Sequence, residues 1–185
     1  MTWTRVPIGE CCEVVSGATP KTEVAEYWDG ELAWATPADL SRLATSTISD
    51  TGRRITATGL ASCSARVLPA GSVLFSSRAP IGHVAINTVP MATNQGFKSL
   101  IPKPGLADAG YLAHWLRANK AYLQSLGSGA TFKEVSKAVV ARVKVPLPPL
   151  PEQRRIAAIL DHADALRAKR RHTLTLLDTL KRSAF

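Results

Sequence analysis

Apolar positions along this chain change rhythm twice. Between Ala65 and Ile101 they come in short β-rich runs, Ala65–Leu68, Ser72–Ser76, His83–Ile86 and Phe97–Ile101, separated by Pro and Gly. That punctuation predicts a meander of short, largely antiparallel strands. From Asp108 to Gly127 the period lengthens. Leu112, Trp115, Leu116, Leu123 and Leu126 recur at helical spacing, with Arg117, Lys120 and Gln124 elsewhere. The pattern predicts a helix stopped at Gly127. On either side lie weaker signals. "TRVPIGECCEVVSG" reads as a lead-in and a helical turn ending at Gly17, and "WDGELAWAT" as a turn entering a strand at Ala33–Thr36. After a small loop, Glu134–Val140 reads as a short helix and Arg142–Val145 as a strand.

The last forty residues are different. Four prolines fall between Pro146 and Pro151, and no Gly or Pro follows. A proline at the first helical position and Glu152 beside it predict one helix from Glu152 to Ser183, about 48 Å long at 1.5 Å per residue. At alternating steps of four and three, Ile159, Ala163, Leu166, Arg170, Thr173, Leu177 and Leu180 form a seam with a polar break at "RAKRRHT". A helix this long with one apolar stripe needs a partner helix. The expectation is a domain over 1–146, a stiff proline exit, and a dimerising helix over 147–185. The competing reading lays the helix over its own domain.

Charge sharpens this picture. Residues 1–50 hold three Lys/Arg and eight acids, a balance of −5. Residues 51–145 hold twelve against two, +10, and residues 146–185 eight against four, +4. Positive charge concentrated in the middle and late chain suits a polyanion such as nucleic acid; the alternative is a solvated basic surface without a partner. No apolar run is long enough for a membrane span, and "MTWTRVPIGE" is not a signal peptide. The expected location is the cytoplasm. Cys11, Cys12 and Cys63 have no ligand or disulfide spacing and read as reduced, partly buried thiols.

"VPLPPLPEQRRIAAILDHAD" closely resembles the conserved helix start of specificity subunits of type I restriction–modification systems. Upstream, "SGATPKTEVAEYWDGELAWATPADL", "VLPAGSVLFSSRAPIGHVAI", "TNQGFKSLIP" and "GSGATFKEVSKAVVARVKVPLP" look like successive blocks of a target recognition domain of that family. The resemblance implies an α+β fold: a mixed recognition domain of short strands, followed by one long helix in a coiled-coil-like pair. Family members carry two such domains, each reading half of a split DNA sequence, held apart by two antiparallel helices. They are not enzymes. They dock modification subunits, which use S-adenosylmethionine, and restriction subunits join the complex. This sequence carries one recognition domain and one helix, so it is expected to be a half-length form, either naturally short and homodimeric or a piece of a longer chain. A two-fold pair would favour an inverted-repeat target with a gap.

The residues themselves offer no catalytic constellation. There is no Asn/Asp-Pro-Pro-aromatic loop for methyl transfer to adenine, Glu134 and Lys137 are one residue too far apart for a nuclease Glu-x-Lys pair, and GxSxG and HExxH are absent. His83, His114, His162 and His172 are scattered, and neither a metal site nor a cofactor of this chain's own is expected. Double-stranded DNA needs cations for phosphates and polar groups for base edges. The candidate loops are "SGATPK", "SSRAPIGH", "TNQGFK" and "GSGATFK". Arg78 is the first choice for a base or phosphate. Lys21, Lys98 and Lys133 are phosphate candidates, Asn94 and Gln95 adenine readers, and Ser77 and Thr131 further contacts. Against this, Asn94 and Gly96 can simply make a turn, and Arg78 can pair inside the fold. Trp3, Trp28, Trp34 and Trp115 read as packing rather than stacking platforms for bases. Two other functions compete: an adaptor that recruits a modification subunit without reading DNA specifically, and a fragment of a fused methylase–nuclease chain.

Overall fold

The computed structural model describes residues 3–183 except 79 and 130–132. In chain order the elements are β1 (Arg5–Pro7), α1 (Ile8–Cys11), β2 (Cys12–Ser16), β3 (Trp28–Ala35), α2 (Pro37–Ser41), β4 (Thr47–Ile48), β5 (Arg54–Ile55), α3 (Ala57–Ala61), β6 (Val73–Phe75), β7 (Val84–Asn87), β8 (Ala92–Thr93) and β9 (Lys98–Pro102). Then come α4 (Ala109–Ala118), α5 (Lys120–Ser125), α6 (Lys137–Arg142), β10 (Lys144–Pro146) and α7 (Leu150–Ser183). The fold is α+β, with short, mostly antiparallel strands and one long C-terminal helix.

The central sheet has the order β2-β9-β6-β7-β4. Alternation along its strands divides the core. Val73 and Phe75 face one cluster with Leu112 and Leu116 of α4; Leu74 and Ala85 face another with Leu40, Met91 and Phe97. A smaller sheet, β5-β3-β8, carries a third cluster around Trp28 and Trp34. Helix starts are capped by side chains. Asp108 Oδ1 accepts from Tyr111 N at 2.9 Å, and Thr36 with Asp39 forms a capping box on α2.

Several expectations are corrected. The helical turn near the start ends at Cys11; Cys12–Ser16 is a strand, because its residues pair in full register with β9. Ala65–Leu68 forms no strand, and Leu68 makes a single bridge to Met91. The meander is interrupted by two parallel pairings, β3 with β8 and β4 with β7. The helix through Asp108–Gly127 breaks at Asn119, whose Nδ2 donates to Trp115 O at 2.8 Å. The next helix starts at Lys137 rather than Glu134, set by Ser136 at its N-cap, and the strand after it moves to Lys144–Pro146. Trp28 and Trp34 are buried, whereas Trp3 is 41% exposed. Cys11 and Cys12 are buried free thiols and Cys63 is half-buried.

Helix α7 packs on its own domain at its start and is exposed further along. Its 34 residues span about 51 Å. Pro149 O accepts from Glu152 N and Gln153 N, which seeds the first turn. The first turns lie on α4: Ala157 is buried close to Gly110, and Ile156 packs on the same cluster. Gln153 is fully buried. Its Oε1 accepts from Asp108 N at 2.9 Å, and its Nε2 donates to Leu106 O at 2.9 Å and Pro148 O at 2.8 Å. Two turns after Gln153, His114 Nε2 meets Asp161 Oδ1 at 2.8 Å. Burial disfavours the charge on the nearby Arg117 guanidinium, and Asp164 and Asp161 partly offset that. Further along, Ile159, Leu166, Leu174 and Leu177 are all more than half exposed, and Ala163 is half-buried. Leu180 is 64% exposed. No described helix is long and apolar enough to cross a membrane.

Candidate nucleic-acid interface

The described parts of the four polar loops, scattered over more than a hundred residues, meet along one rim. The strand pairing β2–β9 carries the first loop beside the third, where Gly17 N donates to Phe97 O at 3.4 Å and Ala18 N to Thr93 O at 3.0 Å. Ser77 N donates to Gly96 O at 2.7 Å, tying the second loop to the third. Val135 N donates to Ser77 O at 2.9 Å, and Arg78 bridges Glu134, which ties in the fourth. Asn94 N donates to Ala35 O at 2.9 Å, fixing the rim to β3.

The candidate side chains divide on this rim. Lys21, Gln95 and Lys133 are exposed. Thr19 Oγ1 donates to Gln95 Oε1, so the first and third loops also touch through side chains. Arg78 is part-exposed, its Nη1 3.7 Å from Glu134 Oε2. Asn94 is half-buried and its Oδ1 accepts from Gly96 N at 2.9 Å, the turn-forming bond. Ser77 is fully buried, with its hydroxyl donating to Gly96 O at 3.1 Å. Lys98 is turned inward: its Nζ lies 2.9 Å from Glu134 Oε1 and 3.4 Å from Gln95 O. Thr131 lies outside the described residues.

Two features of the rim were invisible in the sequence. Glu134 is the acid on which Lys98 and Arg78 converge, although it looked like a helix start. Trp28 and Trp34 act as loop anchors. Their indole N–H groups donate to Lys21 O at 3.2 Å and Ala18 O at 3.0 Å, and their rings pack edge to face at 5.1 Å. Exposed Arg53 stacks on Trp28, 3.6 Å from the ring centroid. A tryptophan spacing carries no such signal, because the acceptors are backbone carbonyls of another segment. Among the described residues no three His, Cys, Asp or Glu side chains gather into a metal site.

This arrangement presents backbone-tied loops with several exposed cations, and comparison with known proteins gives it a family. A family model described as the type I restriction modification DNA specificity domain matches residues 1–176. The chain belongs to the type I restriction–modification specificity family. Among curated members, the type I restriction enzyme MjaIX specificity subunit of Methanocaldococcus jannaschii is 36% identical over 185 residues, covering 99% of this chain and 43% of that protein. Among solved structures, a chain from a study of complex assembly and conformational transition of the type I R-M system superposes with a TM-score of 0.75 at 29% identity, over 97% of this chain and 43% of the other. The HsdS subunit from Thermoanaerobacter tengcongensis gives 0.67 at 27% identity, over 90% and 38%. This specificity-family chain thus spans less than half the length of these relatives.

Proposed function

We propose that this chain is a DNA-recognition module that reads one half of a bipartite double-stranded target and scaffolds the methyltransferase subunits of a type I complex. The observation that carries the reading is the convergence of four loops into one rim bearing exposed Lys21, Lys133 and part-exposed Arg78. In this reading the exposed cations neutralise phosphate, and Arg78 and Gln95 read base edges. The module does no chemistry. Methyl transfer from S-adenosylmethionine belongs to the modification subunit, and a restriction subunit completes the assembly. The recognition head and α7 divide the labour, with the exposed apolar residues of α7 beyond Ile159 pairing two copies of the helix. Such a complex works on cytoplasmic DNA.

Fluorescence anisotropy and sequence enrichment from a pool of random duplexes test this, with and without the modification subunit. The reading expects a split motif. It also expects Lys21→Ala and Lys133→Ala each to reduce the salt dependence of binding by about one phosphate contact, uniformly across sequences. Salt-sensitive binding without any enriched motif would instead assign the chain to the adaptor class, a recruiter of the modification subunit.

A further inference from the structure

Glu134 sits where three rim loops meet, and two cations reach it from different loops. Lys98 Nζ is 2.9 Å from Oε1, and Arg78 Nη1 is 3.7 Å from Oε2. Their burial differs: the Lys98 side chain is 9% exposed and that of Arg78 35%. The backbone repeats the linkage. Arg78 and Glu134 form an antiparallel bridge, and Ser77 is held by Gly96 on one side and Val135 on the other.

A Lys–Glu pair with the lysine buried and the carboxylate 34% exposed gives little net stability over an apolar pair of the same volume. Its presence here is better explained by the geometry it imposes. Lys98 takes the short, charge-assisted bond and fixes the carboxylate. Arg78 stands in the field of that carboxylate but beyond hydrogen-bond reach. Its planar fork of N–H donors is therefore oriented, and among the described residues no side-chain hydrogen bond takes it up. An arginine left on an open loop would have to be ordered at binding, with a loss of side-chain entropy that this arrangement reduces in advance.

We propose that Lys98 and Glu134 are positioning residues for Arg78, holding its guanidinium ready for a planar pair of acceptor atoms on DNA, a guanine edge or a phosphate. Lys98 thereby acts through Arg78 and makes no phosphate contact of its own. The proposal rests on the DNA-reading function above and names the residue group that carries part of it.

The test compares Arg78→Ala in two backgrounds, the natural sequence and the double variant Lys98→Met/Glu134→Gln. The double variant removes both charges together, so no buried charge is orphaned, and its unfolding midpoint checks the fold. The probes are the duplex enriched from the random pool and a scrambled duplex of equal composition. In the natural background Arg78→Ala is expected to weaken target binding by roughly tenfold or more. In the double variant the same change is expected to cost less than about threefold, because the guanidinium is already unplaced. Lys98→Arg, which keeps the charge on Glu134, should restore the full Arg78 effect. Loss confined to the enriched duplex identifies a base edge; equal loss on both duplexes identifies a phosphate. Equal Arg78→Ala costs in the two backgrounds overturn the positioning role. If the natural chain enriches no motif, the DNA-reading function fails instead, and nitrogen relaxation of the Arg78 Nε–H group in the free protein decides the positioning. A rigid group that becomes mobile in the double variant supports it, and unchanged mobility overturns it.

Discussion

Gly17 lies against the backbone of the third rim loop, so an added Cβ would collide with the carbonyl oxygens of Asn94 and Thr93. Thr93 O accepts from Ala18 N, which joins the two loops, and Asn94 O accepts from Phe97 N, which closes the third, so neither can yield freely. Gly17→Ala is therefore expected to destabilise by about 3 kcal/mol and to lower Tm by roughly 10 °C, measured by thermal unfolding with circular dichroism. His83 offers a titration on the same rim. Burial, and then nearby Lys120, hold its imidazole below the ordinary value of 6.5. The unfolded chain therefore takes the proton first, so stability present above pH 6.5 is lost as pH falls toward the depressed folded value. Urea unfolding between pH 5 and pH 8 should show a weaker pH dependence for His83→Gln than for the natural chain. At this scale the sequence showed which residue types crowd the loops but not which way they face. Ser77 and Lys98 were credible DNA contacts as letters; their partners, Gly96 and Glu134, lie 19 and 36 positions away. A pairing of that separation leaves no local pattern. The Asn94 turn was legible because its acceptor and donor are two residues apart.

Elements were legible in proportion to their length and periodicity. The helix α4 and the strands β6, β7 and β9 follow from side-chain spacing, whereas β4 and β8 are two residues long and owe their existence to parallel neighbours. The start of α7 was visible as prolines followed by Glu152, but its docking was not. The "PEQR" block buries Gln153 in three hydrogen bonds with the segment before α4 and the proline exit. Gln153→Ala would remove the partner of Asp108 N, Leu106 O and Pro148 O; the bond to Pro148 O is buried, and the other two are partly open to water. Each orphaned group costs about 1–3 kcal/mol, and local relaxation recovers part of the sum. The expected loss is about 3 kcal/mol in chemical denaturation. Hydrogen exchange should also rise at the first turns of α7 while the β6–β9 amides stay protected. Uniform loss of protection would mean that Gln153 serves the head as a whole rather than the joint between head and helix.

At the scale of the molecule, the same helix is split between two tasks. Its first turns belong to the head through Gln153, Ala157 and the His114–Asp161 contact, and its later turns present Leu166, Leu174 and Leu177 to solvent. Apolar side chains at that spacing on a helix with polar flanks are stable when a second helix covers them. About the midpoint between Arg170 and Thr173 the seam positions pair off, Leu166 with Leu177 and Ala163 with Leu180, and Ile159 lies outside this symmetry. A two-fold antiparallel pair therefore sets Leu166 of one copy against Leu177 of the other, and it places the heads at opposite ends. Two helices of about 51 Å overlapping along this seam would hold the rims apart at a fixed distance, which is the physical requirement for reading two half-sites with a gap. Replacing both Leu166 and Leu177 with Asp buries four carboxylates in that seam, so the mass measured by light scattering should fall from a dimer to a monomer while the circular dichroism of the head is retained. The DNA readout follows the same logic. The monomer should keep affinity for a single half-site and lose the avidity for the paired site that comes from holding both heads on one duplex. A mass unchanged by the double substitution would remove α7 as the pairing element, and with it the fixed spacing between recognition heads.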